Sequence, residues 1–170
     1  MKIGIDIDDT LVNTNVVYEK IINKYNLNNY TDIEEFYREH GEEIYANSAI
    51  KPGAPEALRW MRENGCQIII ITAREFSDKL CMELFTSRLF EENNLPYDKI
   101  IVNSLPKGPD AHNEGIDLFI DDLESNLDNV SSYGIESIKV VEELTGNSKY
   151  KEFTNWFDIL DYIKAKKEIS

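Results

Sequence analysis

The chain has 170 residues, 42% of them apolar, with Trp60, Trp156, nine Tyr and seven Phe. That is long enough to bury one real core and too apolar for a disordered chain. The formal net charge of −14 repels nucleic-acid backbones and anionic membranes, no basic cluster opposes it, and any anionic ligand must be met by a local cation.

Residues 1–12 are interrupted by Asp6 and hold no apolar leader core, and the longest apolar run, Ile68 to Ile71, cannot span a bilayer. A cytoplasmic protein is expected. Cys66 and Cys81 lie in no CxxC or Cys/His spacing and are expected to be two buried, reduced thiols.

Taken in chain order, the first strand is expected over residues 2–7, where Ile3, Ile5 and Ile7 alternate. Two helices follow with no strand between them, over 15–25 and 32–45, the second with Thr31 as its N-cap. From residue 52 helix and strand alternate. Helix 55–63 stops at Gly65, and strand 67–71 leads to helix 77–93, whose apolar tracks are Phe76, Leu80, Leu84 and Cys81, Phe85, Leu89. Strand 99–102, helix 109–114 opening on proline, strand 118–120, helix 125–132, strand 136–140 and helix 155–166 complete the chain. Short strands rich in Ile and Val, separated by helices, read as a Rossmann-like three-layer α/β/α sandwich with a central parallel sheet. Residues 1–13 and 51–170 would form that core. Residues 14–50 would be a small helical cap inserted after the first strand, above the strand carboxyl ends where open α/β sheets bind ligands.

Polar residues gather at those same ends. Asp6, Asp8 and Asp9 follow the first strand, with Asp6 and Asp8 expected to share a direction by strand parity. Thr72 and Ala73 follow the second, Lys107 precedes the helix at Pro109, and Asp121 and Asp122 end the strand after it. Each element alone has a plainer reading: an Asx turn, a strand terminator, a solvated lysine, a helix cap. Together they place several carboxylates, a hydroxyl and a cation on one sheet edge. Carboxylates crowd there at low cost if a hard divalent cation binds them, and magnesium suits an all-oxygen set that also meets a phosphate.

In "DIDDTLV", "IITAR", Lys107 and "LFIDD" the sequence resembles the haloacid dehalogenase (HAD) superfamily, over residues 2–140, and most closely its small 5'(3')-deoxyribonucleotidase-like proteins. The resemblance implies a magnesium-dependent phosphomonoester hydrolase for a small phosphorylated metabolite such as a (deoxy)nucleoside monophosphate, with no nucleic-acid polymer or membrane as partner. It implies that Asp6 is the nucleophile and forms an aspartyl-phosphate. Asp8 would be general acid and then base, with a pKa raised by nearby carboxylates. Asp6, the Asp8 carbonyl, Asp121 and Asp122 would hold the metal. Thr72, Lys107 and the amides of Asp9 and Ala73 would hold phosphoryl oxygens. Lys99 is a rival for the motif lysine, but it opens a strand and so belongs at the opposite edge. Tyr18, Tyr25, Phe36, Tyr37 and Tyr45 are the aromatic candidates for substrate contact in the cap. Arg74 would touch substrate or pair with surface acids, and His40 and His112 have no partner motif.

Three other readings share these residues. Receiver domains use similar groups in another order, with the acidic pair first and no helical insert. A dehalogenase on the same fold would need neither metal nor an acid at Asp8. A binding-only protein would keep the site without turnover.

Overall fold

The computed structural model describes residues 1–27, 33–75 and 77–169. Its elements run β1 (Lys2–Ile5), α1 (Thr14–Tyr25), α2 (Ile33–Asn47), α3 (Ala54–Glu63), β2 (Gln67–Ile71), α4 (Lys79–Glu92), β3 (Lys99–Ile101), α5 (Gly108–Glu114), β4 (Leu118–Asp121), α6 (Glu124–Ser131), β5 (Glu136–Val140), β6 (Lys151–Phe153) and α7 (Trp156–Ile169). The six strands form one parallel sheet in the order β3-β2-β1-β4-β5-β6. Strand β1 is therefore the switch point: successive strands are added to one side of it and then to the other.

Strand parity makes the layers. Ile3, Ile5, Ile68, Ile70, Leu118 and Ile120 face a core completed by Leu58 and Met61 of α3 and by Trp156, Ile159 and Ile163 of α7. Ile69, Ile71 and Phe119 point the other way, onto Ala111 of α5 and Leu127 and Val130 of α6. Both faces are dry, as a doubly covered parallel sheet requires. Gly4 sits opposite Phe119 in the register, and a Cβ there would come within 2.6 Å of the Phe119 ring. The missing side chain is what lets that ring lie across β1.

Helices α1 and α2 carry a separate apolar cluster of Val17, Ile21, Phe36, Ile44 and Tyr45, with Tyr18, Tyr37 and Phe85 against it. They lie between β1 and α3, where no strand occurs among the described residues. No helix among the described residues is long and apolar enough to cross a membrane.

The structure departs from the sequence reading in four places here. Strand β1 ends at Ile5, because the amides of Thr10, Leu11 and Val12 converge on the Ile7 carbonyl and turn the chain. Strand β6 was not expected: it has three residues and only Phe153 is buried, so it carries almost no periodic signal. In α4 the buried stripe is Met82, Thr86 and Phe90, whereas Leu80 is 64% and Leu84 57% exposed. Asp78 caps that helix by accepting from the Cys81 amide, and of the expected tracks Phe85 and Leu89 are partly buried against the cores. Cys81 is exposed, and only Cys66 is the buried thiol expected. Thr31 and Phe76 lie outside the described residues.

Candidate active site

The switch point brings three strand ends together. Asp6 follows β1, Thr72 follows the neighbour on one side, and Asp121 closes the neighbour on the other. The Asp6 amide donates to the Ile120 carbonyl at 2.9 Å, which fixes Asp6 against β4. Carboxylate oxygens of Asp6, Asp121 and Asp122 lie within 4.8 Å of one another.

Lys107 enters from the N-terminus of α5 and is almost fully buried. Its Nζ reaches Asp6 Oδ1 at 2.5 Å and Asp121 Oδ2 at 2.7 Å. The loop that carries it is tied to the loop after β2, since the Ser104 amide donates to the Thr72 carbonyl at 3.0 Å. Lys99, the rival, lies at the start of β3 and pairs with Glu114 at 2.5 Å, away from this cluster.

One ammonium does not balance three carboxylates. Burial drives the Asp6 pKa well above the ordinary carboxylate range, Lys107 opposes this, and Asp121, Asp8 and Asp122 add to it. Burial and then the charge of Asp121 push Asp122 up to about 7. For Lys107, burial alone would disfavour the charge, but Asp6 and Asp121 overcome it and raise the pKa. An all-oxygen set with surplus negative charge is the arrangement that a hard divalent cation stabilises, so Asp6, Asp121 and Asp122 fit such an ion.

Asp8 has its own partners, although its charge still acts on Asp6. Its carboxylate accepts from Arg74 Nε at 2.9 Å and Nη2 at 2.7 Å, and from Thr14 Oγ1 at 2.6 Å. A guanidinium thus grips Asp8, in addition to the carboxylates of Asp6 and Asp9 nearby. Arg74 is 2% exposed, so its partner is no surface acid, and its guanidinium lies 4.2 Å from the centre of the Tyr45 ring. Burial acts against the Arg74 charge, Asp8 outweighs it, and the pKa is raised.

Thr72 is fully buried, and its Oγ1 accepts from the Arg74 amide at 3.3 Å. The amides of Asp9 and Ala73 donate no hydrogen bond among the described residues. Asp9 has a φ of 55°, and its side chain accepts from the Asn15 amide at 2.9 Å in the first turn of α1. Free amides beside a left-handed residue form a concavity for an anion.

Sequence reasoning missed Asn126 and Thr14, and named Arg74 without its partner Asp8. Asn126 holds both oxygens of Asp121, at 3.1 and 3.2 Å. Thr14 and Arg74 hold Asp8. For Asn126 the signal was a polar residue five positions after Asp121, on the buried side of α6. The aromatic candidates Tyr18, Phe36, Tyr37 and Tyr45 pack on one another in α1 and α2. Tyr25 stacks instead on His40 and bonds Glu43. His112 packs against Tyr133, outside the cluster.

No family model matches the chain, and no curated protein matches it. Solved structures do. A HAD-superfamily hydrolase from Ehrlichia chaffeensis is 17% identical with a TM-score of 0.63, and the match covers 96% of each chain. A HAD phosphatase from Thermococcus onnurineus is 16% identical with a TM-score of 0.63, over 96% of this chain and 98% of that one. A HAD hydrolase of family IA from Entamoeba histolytica is 18% identical with a TM-score of 0.63, over 96% and 99%. At these identities the likeness is one of fold, and the chain has the fold of the haloacid dehalogenase-type hydrolases.

Proposed function

We propose that this protein is a cytoplasmic, magnesium-dependent phosphomonoester hydrolase that acts through an aspartyl-phosphate on Asp6. Its substrate would be a small phosphorylated metabolite such as a (deoxy)nucleoside monophosphate. The observation that carries this reading is the cluster of Asp6, Asp121 and Asp122, with buried Lys107 between two of them, at the sheet's switch point.

Magnesium held by Asp6, Asp121, Asp122 and the Asp8 carbonyl would supply the positive charge that lets a phosphate approach three carboxylates. The ionised Asp6 carboxylate attacks phosphorus in line, and the bond to the leaving oxygen breaks. Asp8, which must first take up a proton against the pull of Arg74, would give it to that oxygen and later take one from the water that hydrolyses the acyl phosphate. The Lys107 ammonium, the Thr72 hydroxyl and the amides of Asp9 and Ala73 hold the transferring oxygens. Helices α1 and α2 would act as the cap that selects the leaving group.

The test is hydrolysis of p-nitrophenyl phosphate and of a metabolite panel containing deoxynucleoside monophosphates. Turnover that stops with chelator and returns with magnesium supports the reading. Full activity in excess EDTA, or no phosphate release from any ester, overturns it.

A further inference from the structure

A cavity of about 550 Å³ lies between α2 and α4, and Arg74 forms part of its wall. Tyr45, Ile50, Phe85 and Leu89 give it apolar surface, and exposed Arg88, Glu42 and Glu92 give it polar surface. The volume is that of a small-ligand site.

Arg74 spends only one edge of its guanidinium on Asp8. Nε and Nη2 make the fork, while Nη1 makes no hydrogen bond among the described residues. The side chain is held from two directions before any ligand arrives, with Asp8 on one edge and the Tyr45 ring over a face, and the backbone amide is fixed to Thr72. A buried, preorganised donor with unused N–H groups on the wall of an amphipathic cavity is a recognition element.

We propose that Nη1 of Arg74 binds a planar oxygen acceptor, a carboxylate or carbonyl, on the leaving group of the substrate, whose ring or apolar body lies against Tyr45, Phe85 and Leu89. This rests on the phosphatase reading above. The carboxylates of Glu42 and Glu92 disfavour a second phosphate dianion, and a single acceptor oxygen suits a guanidinium whose charge Asp8 already shares. Arg74 would then link leaving-group recognition to the acid that protonates it. Lysine at this position would keep a charge for Asp8 but could not hold Asp8 and a ligand on two edges at once.

The test measures binding by calorimetry with magnesium, using phenylphosphonate and its 3- and 4-carboxy and carbamoyl derivatives, which are not hydrolysed. The wild type is expected to bind at least one derivative roughly tenfold or more tighter than the parent, and Arg74→Lys should lose that gain. A larger gain for carboxy than for carbamoyl identifies an anionic group, and equal gains identify a neutral acceptor. If Arg74→Lys does not fold, Ala46→Trp, which fills the same cavity from α2, should weaken aryl phosphonates relative to methylphosphonate. No gain in the wild type, an equal gain in Arg74→Lys, or no effect of Ala46→Trp overturns the subsite. Turnover of phenyl phosphate, measured alongside, separates this from failure of the phosphatase reading, which would remove both.

Discussion

The sheet edge and the α1–α2 pair solve opposite problems. At the edge, Asp6, Asp121 and Lys107 are charged groups with almost no exposure, held by one another and by Asn126. In α1–α2 the buried cluster is aliphatic and aromatic, with Tyr18, Phe36, Tyr37 and Tyr45 in edge and stacked contacts. The edge concentrates electrostatic energy, which is worth most where water is absent. The helical pair offers shape and apolar area. Arg74 is where the two meet, with Asp8 on one side and Tyr45 on the other. On the proposed reading, chemistry and selectivity are built from separate parts of the chain, and each can be broken without the other.

The largest effect should come from the first-motif aspartates. Asp6→Asn is expected to abolish turnover. Asp8→Asn should lose on the order of 10²–10⁴-fold, yet still phosphorylate itself from an ester with a good leaving group. Intact mass after quenching at low pH should show a phosphate adduct on Asp8→Asn and none on Asp6→Asn. An adduct on the latter would remove Asp6 from the nucleophile's role.

Lys107→Met tests whether the edge depends on its one buried ammonium. Removing one partner of a buried ion pair typically costs about 3–5 kcal/mol, so the melting temperature should drop steeply. Added magnesium should recover part of the loss. If Lys107 holds the phosphoryl oxygens, catalysis should also fall further than folding explains.

A third measurement uses pH. The Asp122 carboxyl titrates near 7 in the folded chain because burial and Asp121 disfavour its charge; in the unfolded chain its value is ordinary, about 4. Between those values the folded protein binds more protons than the unfolded one, so metal-free stability should fall as pH rises through the window. Magnesium favours the ionised folded state and should flatten or reverse that slope. Denaturant melts at pH 5 and pH 7.5, with and without magnesium, decide it. A metal-free protein more stable at pH 7.5 would contradict the assignment.

The smallest effects belong to the helical pair. Aromatic contacts are worth about 0.5–1.5 kcal/mol beyond burial, so Tyr37→Ala should lower stability modestly. If α1 and α2 select the substrate, it should also reorder a substrate panel more than it slows p-nitrophenyl phosphate. A uniform loss across all esters would mark Tyr37 as packing alone.

The sequence by itself determined the strands β1 to β5, the parallel sheet they imply, and the residues that end them. Short Ile- and Val-rich runs between helical patterns have few other solutions, and a polar residue after such a run must lie at the sheet's edge. Asp6, Thr72 and Asp121 were legible for that reason, and Lys107 from its place just ahead of the helix at Pro109. Strand β6 was not, because three residues with one buried side chain carry no period. Leu80, Leu84 and Cys81 were misread because adjacent apolar tracks run along α4, and only tertiary packing selects the one through Met82 and Phe90 as the buried face. The partners of Asp8 were beyond reach of any local rule. Arg74 is 66 positions away, and whether it meets solvent, substrate or Asp8 depends on where β2 lies beside β1 and on α2 placing Tyr45 over it. Sequence fixes which groups reach the edge through short-range periodicity; only tertiary packing decides which of them touch, because buried charges take the partners that the neighbouring strands and helices bring within reach.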